Sequence, residues 1–152
     1  MKEVNRDIKE DKFKSIYLLY GDEDYLKRYY KNRLSSAISR GNSMNYTFLE
    51  GKNIDVDLFI TKSQVMPFLA DRKCIVIENS NWFKTTNEQV NKYIEQLPST
   101  THVVFVEENV DERNKLFKKV KSMGYTLKLT HPDTKELIDL SLIHISEPTR
   151  RT

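Results

Sequence analysis

Five short apolar runs alternating with stretches of helical spacing constrain this chain more than any other feature of it. Residues 15–20 (SIYLLY) are nearly continuous in apolar and aromatic side chains and stop at Gly21, as suits a strand covered on both faces. Residues 45–50 (NYTFLE) stop at Gly51, residues 74–77 (CIVI) are wholly apolar, and residues 102–106 (HVVFV) follow. The last run, 125–129 (YTLKL), is more polar and suits a sheet edge. Between the runs the period changes. Val4 and Ile8 mark a short opening helix, and Leu26, Tyr30, Leu34 and Ala37 predict one running from the acids Asp22, Glu23 and Asp24 to about Ser39. Gly41 is its stop. Asp55 is expected to cap a helix with Val56, Phe59, Ile60 and Ser63 inward, which Pro67 ends or kinks. Val90, Tyr93, Ile94 and Leu97 trace another helix, and Asp111 is expected to cap one carrying Leu116, Phe117 and Val120, stopped by Gly124. Strands separated by helices need parallel crossovers. The expected fold is a three-layer α/β domain with a five-stranded, mainly parallel sheet.

Not all 152 residues enter that reading. Residues 140–150 (LSLIHISEPTR) match, through eleven positions in one frame, the translation of an adapter used in preparing sequencing libraries. The expected division is therefore a domain over 1–130, the truncated start of a further domain over 131–139, and a non-native tail over 140–152. A chain of this size builds a core without metal or disulfide. A net charge of +3 is too small for a dedicated polyanion binder. One cysteine, Cys74, excludes a disulfide framework and a multi-cysteine zinc site, and is expected to be a small buried hydrophobe. No apolar stretch approaches the ~18 residues that span a bilayer, and the first residues lack a signal-peptide core, so a cytoplasmic location without membrane partners is expected.

Ligands of such sheets bind beyond the carboxyl ends of the strands. A phosphate-binding loop would place G-x-x-x-x-G-K-[ST] after the first strand; the chain reads Gly21, Asp22, Glu23, Asp24, Tyr25, Leu26, Lys27 instead. The second glycine and the Lys-Ser/Thr pair are missing, and three acids stand where phosphate charge would go. No nucleotide, other cofactor or metal is expected. Glu78 ends the third strand and Glu107-Glu108 the fourth without a phosphate loop to serve, so Glu78 reads as a solvated strand end. His102 begins a strand, His131 precedes Pro132, and His144 lies in the tail, with no catalytic grouping around any of them. Lys12, Lys14, Lys118, Lys119 and Lys121 read as solvated faces. A phospho-acceptor receiver domain shares five parallel strands but needs an aspartate ending the third and a lysine ending the fifth. Glu78 has the wrong reach, and Lys128 is expected inside its strand. Receiver-like and degenerate nucleotide-binding signalling domains are the competing classes.

One segment resists a bland reading. In residues 65–72 (VMPFLADR), Met66, Phe68 and Leu69 sit at a helix end and turn where polar residues are expected. Either they cover the sheet edge, or they protrude as an apolar tip flanked by Asp71 and Arg72 and suited to a partner's pocket.

In order and spacing, IYLLYGDEDYLKRYY, MNYTFLEG, SQVMPFLADRKCIVIEN and VDERNKLFKKVKSMG resemble the delta-subunit family of bacterial DNA polymerase III, over about residues 1–139. The resemblance implies an AAA+ or P-loop-NTPase-like clamp-loader architecture that has lost a functional phosphate loop. It implies that Phe68 and Leu69, with Met66 beside them, enter a hydrophobic pocket of the ring-shaped sliding clamp (the beta subunit). Pro67 would stiffen this helix tip, with Ala70, Asp71 and Arg72 following. The role implied is binding and opening the clamp for loading onto DNA during replication. Other loader subunits would be met through domains missing here, and DNA only within the complex. No reaction of its own is implied, although the holoenzyme it would join is a DNA-directed DNA polymerase, a nucleotidyltransferase.

Overall fold

In the structure, a computed structural model that describes residues 1–51 and 54–130, the five apolar runs become five strands. They are β1 (Ile16–Tyr20), β2 (Tyr46–Glu50), β3 (Lys73–Glu78), β4 (Thr101–Glu107) and β5 (Tyr125–Lys128). The helices are α1 (Lys2–Glu10), α2 (Asp24–Ser39), α3 (Val56–Gln64), α4 (Glu88–Tyr93) and α5 (Lys115–Met123), with 3-10 turns at Ser43–Asn45 and Ile94–Gln96. The segments expected over 131–139 and 140–152, with His131 and His144, lie outside the described residues.

All pairings are parallel, in the order β2-β3-β4-β1-β5. The polar fifth run is at an edge, as its composition requires. β1 lies between β4 and β5, with Leu18 opposite Phe105 on one side and Thr126 on the other. A receiver of the flavodoxin-like type has the order 2-1-3-4-5, so this topology excludes it. Lys128 itself is the last residue of β5 and not interior to it, so its position alone does not set the chain apart from a receiver.

The order also sets which helix covers which face. The step from β1 to β2 runs in the opposite direction along the sheet from the steps β2 to β3, β3 to β4 and β4 to β5. Right-handed crossovers therefore put α2 on one face and α3, α4 and α5 on the other. The burial follows suit. Ile16, Leu18, Ile75, Ile77, Val103 and Phe105 pack with Phe59, Val90, Leu116, Phe117 and Val120 from α3, α4 and α5, and with Ile94 of the 3-10 turn after α4. Tyr17, Leu19, Cys74, Val76, Val104 and Val106 pack with Val4 of α1 and with Leu26, Tyr30, Leu34 and Ile38 of α2. Alternate residues of each central strand point to opposite faces, so both faces of β1 are closed. Burial pushes the Cys74 thiol up to about 12, leaving it inert packing.

Local details depart from the sequence reading. Asp111 does not cap the last helix. Its carboxylate receives Arg113 N (2.9 Å), and Asn114 caps α5 by accepting from Leu116 N and Phe117 N. Residues 94–97 leave the α-helical path after Tyr93 through a 3-10 turn. Gly124 ends α5 for want of room: a Cβ there would lie 2.0 Å from the Ile16 carbonyl oxygen. Lys14 is not a free surface charge, because its Nζ lies 2.7 Å from both Glu3 and Asp7. Lys119 likewise pairs with Glu95. Trp82 and Phe83, in the connection from β3 to α4, are buried against Phe59 and Phe105. Two adjacent aromatics between polar residues were the available signal for that plug.

His102 is buried, and its Nδ1–H donates to the Lys14 carbonyl oxygen at 2.7 Å. Burial first, and the nearby Arg72 charge, hold the imidazole below its usual 6.5, although the Lys14 bond opposes this. The unfolded chain therefore takes up the proton at a higher pH than the folded one. Stability should be fully present above the ordinary histidine range and fall as pH drops through it. Melting temperatures across pH 5 to 8 should decline on the acid side, and His102→Gln should flatten that slope.

Candidate functional site

At the carboxyl ends of the strands, the chain's own side chains occupy the groups a nucleotide would use. Gly21 (φ 124°) is required by the chain leaving β5: a Cβ there would lie 2.1 Å from the Leu129 carbonyl oxygen. Of the three acids after it, Glu23 is the N-cap of α2. It is buried, and its Oε2 accepts from Tyr25 N (2.7 Å) and Leu26 N (3.2 Å). The amides that would cradle a phosphate already hold a carboxylate. Lys27 is buried and paired with Asp24 at 3.2 Å. Glu78 is not free in solvent, since it meets Lys31 at 2.8 Å. Glu107 turns inward and accepts from Ser80 N (3.1 Å), Ser80 Oγ (2.9 Å) and Asn81 N (3.4 Å). Burial raises its carboxyl above the usual range against the pull of those bonds. The cleft here, about 300 Å³, sets Lys27, Arg28 and Lys31 against Asp24, Glu78 and Glu108. Its charge is neutralised from within. Among the described residues, no group of three or more His, Cys, Asp or Glu could hold a metal ion.

The apolar segment lies at the other end of the sheet, and it protrudes. Met66 is 73% exposed, Phe68 50% and Leu69 89%, so these side chains do not cover the sheet edge. They are not on a helix tip, because α3 ends at Gln64 and Val65 is already extended (φ −71°, ψ 131°). Pro67 falls in the turn beyond. Three side chains hold this turn, and two of them, Lys73 and Asn45, are ones that sequence reasoning did not single out. Lys73, buried at the start of β3, donates its Nζ to the carbonyl oxygens of Lys62 and of Val65 (3.0 Å), closing the end of α3. Burial lowers the Lys73 ammonium below its usual range, so that closure has a desolvation cost. Asn45, buried beneath the turn, receives Phe68 N on its Oδ1 (2.6 Å) and donates its Nδ2 to the Phe68 carbonyl oxygen (3.0 Å).

Arg72 departs from the expected picture. Instead of flanking an open tip it is buried, and it fastens the turn to the end of α2. Its Nε donates to Ile38 O (2.8 Å), its Nη2 to Ala37 O (2.9 Å) and Asp11 (2.5 Å), and its guanidinium lies 4.8 Å from the centre of the Phe13 ring. Asp71 stays exposed, 3.5 Å from Arg40. Leu69 adopts φ 51°, a left-handed conformation that costs an L-residue about 1–2 kcal/mol. A single polar residue before an apolar strand carries no mark of such duties, which is why Asn45 and Lys73, and the inward role of Arg72, escape a linear reading.

The family model of the DNA polymerase III delta subunit matches residues 17–129. The DNA polymerase III subunit delta of Bacillus subtilis (strain 168) is 23% identical over 164 residues, taking in 99% of this chain and 47% of that protein. The chain thus spans about half the length of this curated relative. The solved Bacillus subtilis DNA clamp loader delta protein superposes with a TM-score of 0.78 at 21% identity, covering 93% of this chain and 46% of that one. A DNA polymerase III gamma subunit-related protein from Thermotoga maritima superposes with a TM-score of 0.62 at 20% identity, over 96% and 50%. At such identities the superpositions establish a shared fold, a five-stranded parallel α/β domain like that of the Bacillus subtilis clamp loader delta protein.

Two measurements test the site. In thermal or denaturant melts, Asn45→Ala should destabilise the domain by about 1–3 kcal/mol, because it orphans the Phe68 amide and carbonyl. Leu69→Gly should hold or raise stability by up to about 1 kcal/mol, since glycine takes a left-handed φ without strain. A loss like that of a buried leucine, about 2–5 kcal/mol, would contradict the exposed placement. Calorimetric titration of ATP with Mg²⁺ should give no saturable heat. A micromolar site would overturn the reading of the self-capped α2 terminus.

Proposed function

The chain belongs to the DNA polymerase III delta-subunit family, whose model matches residues 17–129, and from that premise we propose that it is the clamp-contacting domain of a bacterial clamp loader. Phe68 and Leu69, with Met66 beside them, insert into a hydrophobic pocket on the sliding clamp. The observation that supports this is the exposed apolar turn, held from beneath by Asn45, Lys73 and Arg72. Three large apolar side chains left in water on a fastened loop are a poor arrangement for an isolated domain and a good one for an anchor. Prior fastening also lowers the ordering cost of binding, which a mobile loop would meet on docking.

The work is mechanical. A closed ring opens if a partner binds the opened form better than the closed one, and affinity common to both forms shifts nothing. The domain's side-chain-filled nucleotide cleft suits such a role, with ATP bound by other subunits and with loader assembly and DNA contact made through regions beyond residue 130. The expected setting is the cytoplasm; no helix among the described residues is long and apolar enough to cross a membrane.

Phe68→Ala with Leu69→Ala should reduce affinity for the cognate sliding clamp by 100-fold or more, since each deleted anchor contributes on the order of 2 kcal/mol. The melting profile should stay close to that of the parent. Surface-resonance titration reads the first and circular dichroism the second; unchanged affinity in a folded double variant would remove the assigned site.

A further inference from the structure

We infer that the clamp-facing surface does not end at the turn but continues along β2, with Met44, Tyr46 and Phe48 as its second half; this rests on the docking reading above. The strand alternates, so Tyr46 and Phe48 share one face while Thr47 and Leu49 share the other. In register Tyr46 lies opposite Cys74 and Phe48 opposite Val76, both members of the cluster beneath α2. That helix packs over β3, β4 and β1 and leaves the edge strand largely bare. Tyr46 is consequently 36% exposed, Phe48 43%, and Met44, in the turn leading in, 67%.

Edge strands of soluble proteins are commonly guarded by lysine, proline or a bulge. Residues 46–49 of β2 read Tyr-Thr-Phe-Leu and carry no such guard in their own sequence. Lys31, 5.7 Å from the Phe48 ring, shields it from one side only, and is itself held by Glu78. An aromatic edge of this kind is an aggregation hazard unless a partner covers it.

Continuity says which partner. Asn45, seated between Met44 and Tyr46, is the residue whose amide grips both backbone groups of Phe68. The base of the aromatic strip and the base of the turn are thus one hydrogen-bonded unit, and a body that receives Phe68 and Leu69 comes up against Met44 and Tyr46. Size points the same way. Three side chains fall well short of the roughly 800 Å² per partner that a specific interface buries, and aromatic residues with methionine are the types enriched in interface cores. The other exposed aromatic pair, Tyr25 and Tyr29, is in a different situation: the two rings stack on each other 6.4 Å apart, with Arg33 over Tyr29, on the first turns of α2.

Hydrogen–deuterium exchange on the full 152-residue chain, with and without saturating cognate clamp, tests this directly. Protection over residues 44–50 together with 65–70 is the expected result. Protection confined to 65–70 overturns the extended surface while leaving the docking site intact, and protection of neither overturns both. In parallel, Tyr46→Thr with Phe48→Thr, which replaces the rings by β-branched residues that also suit a strand, should weaken clamp affinity about tenfold or more with an unchanged melt. Phe48→Thr alone serves if the double variant does not melt cooperatively. Full affinity in a folded variant refutes the inference.

Discussion

The requirement that both faces of β1, β3 and β4 be closed to water governs this domain. Parallel strands cannot leave one face wet as a hairpin sheet can, so each crossover must deliver a helix to the correct side. The single reversal of direction, from β1 out to β2, sends α2 to one face and leaves the other to α3, α4 and α5. One helix with the short α1 then has to cover what three helices cover opposite. It reaches β3, β4 and β1, and β2 is left exposed.

The two ends of the sheet use charge in opposite ways. At the carboxyl ends several charged groups are turned onto the protein itself: Glu23 onto the amides of α2, Glu107 onto Ser80, and Lys27 and Lys31 onto neighbouring acids. Charges satisfied within the protein offer little to an incoming anion. At the amino ends, Lys73, Arg72 and Asn45 spend their donors on backbone carbonyls. That leaves the turn from Met66 to Leu69 fastened from beneath, with the Phe68 amide and carbonyl already paired and its side chains apolar. The first arrangement ties charge up within the fold, and the second leaves large apolar side chains in water.

Part of this was legible from the chain. The five strands, their bounding glycines and the polar edge strand followed from apolar runs and period, because burial on two faces leaves a composition that local reading detects. The failed phosphate loop was legible too, since the missing residue types are chemical requirements. Other features were hidden for a physical reason. Asp111 and Asn114 are both good caps three residues apart, and only the tertiary path of the connection selects Asn114. Arg72, beside an exposed turn in sequence, is drawn inward by carbonyls at the end of α2, more than thirty residues away.

The sequence by itself determined the class of fold, the absence of the phosphate-loop residue types after the first strand, and the presence of surplus apolar residues between α3 and β3. Each depends on residue type and near spacing. Only the tertiary structure decided that those residues face water, that Leu69 is held left-handed, and that the strip from Met44 to Phe48 adjoins them. These outcomes depend on how far α2 reaches across the sheet and on an asparagine meeting a backbone twenty-three residues away, and no local pattern encodes either distance.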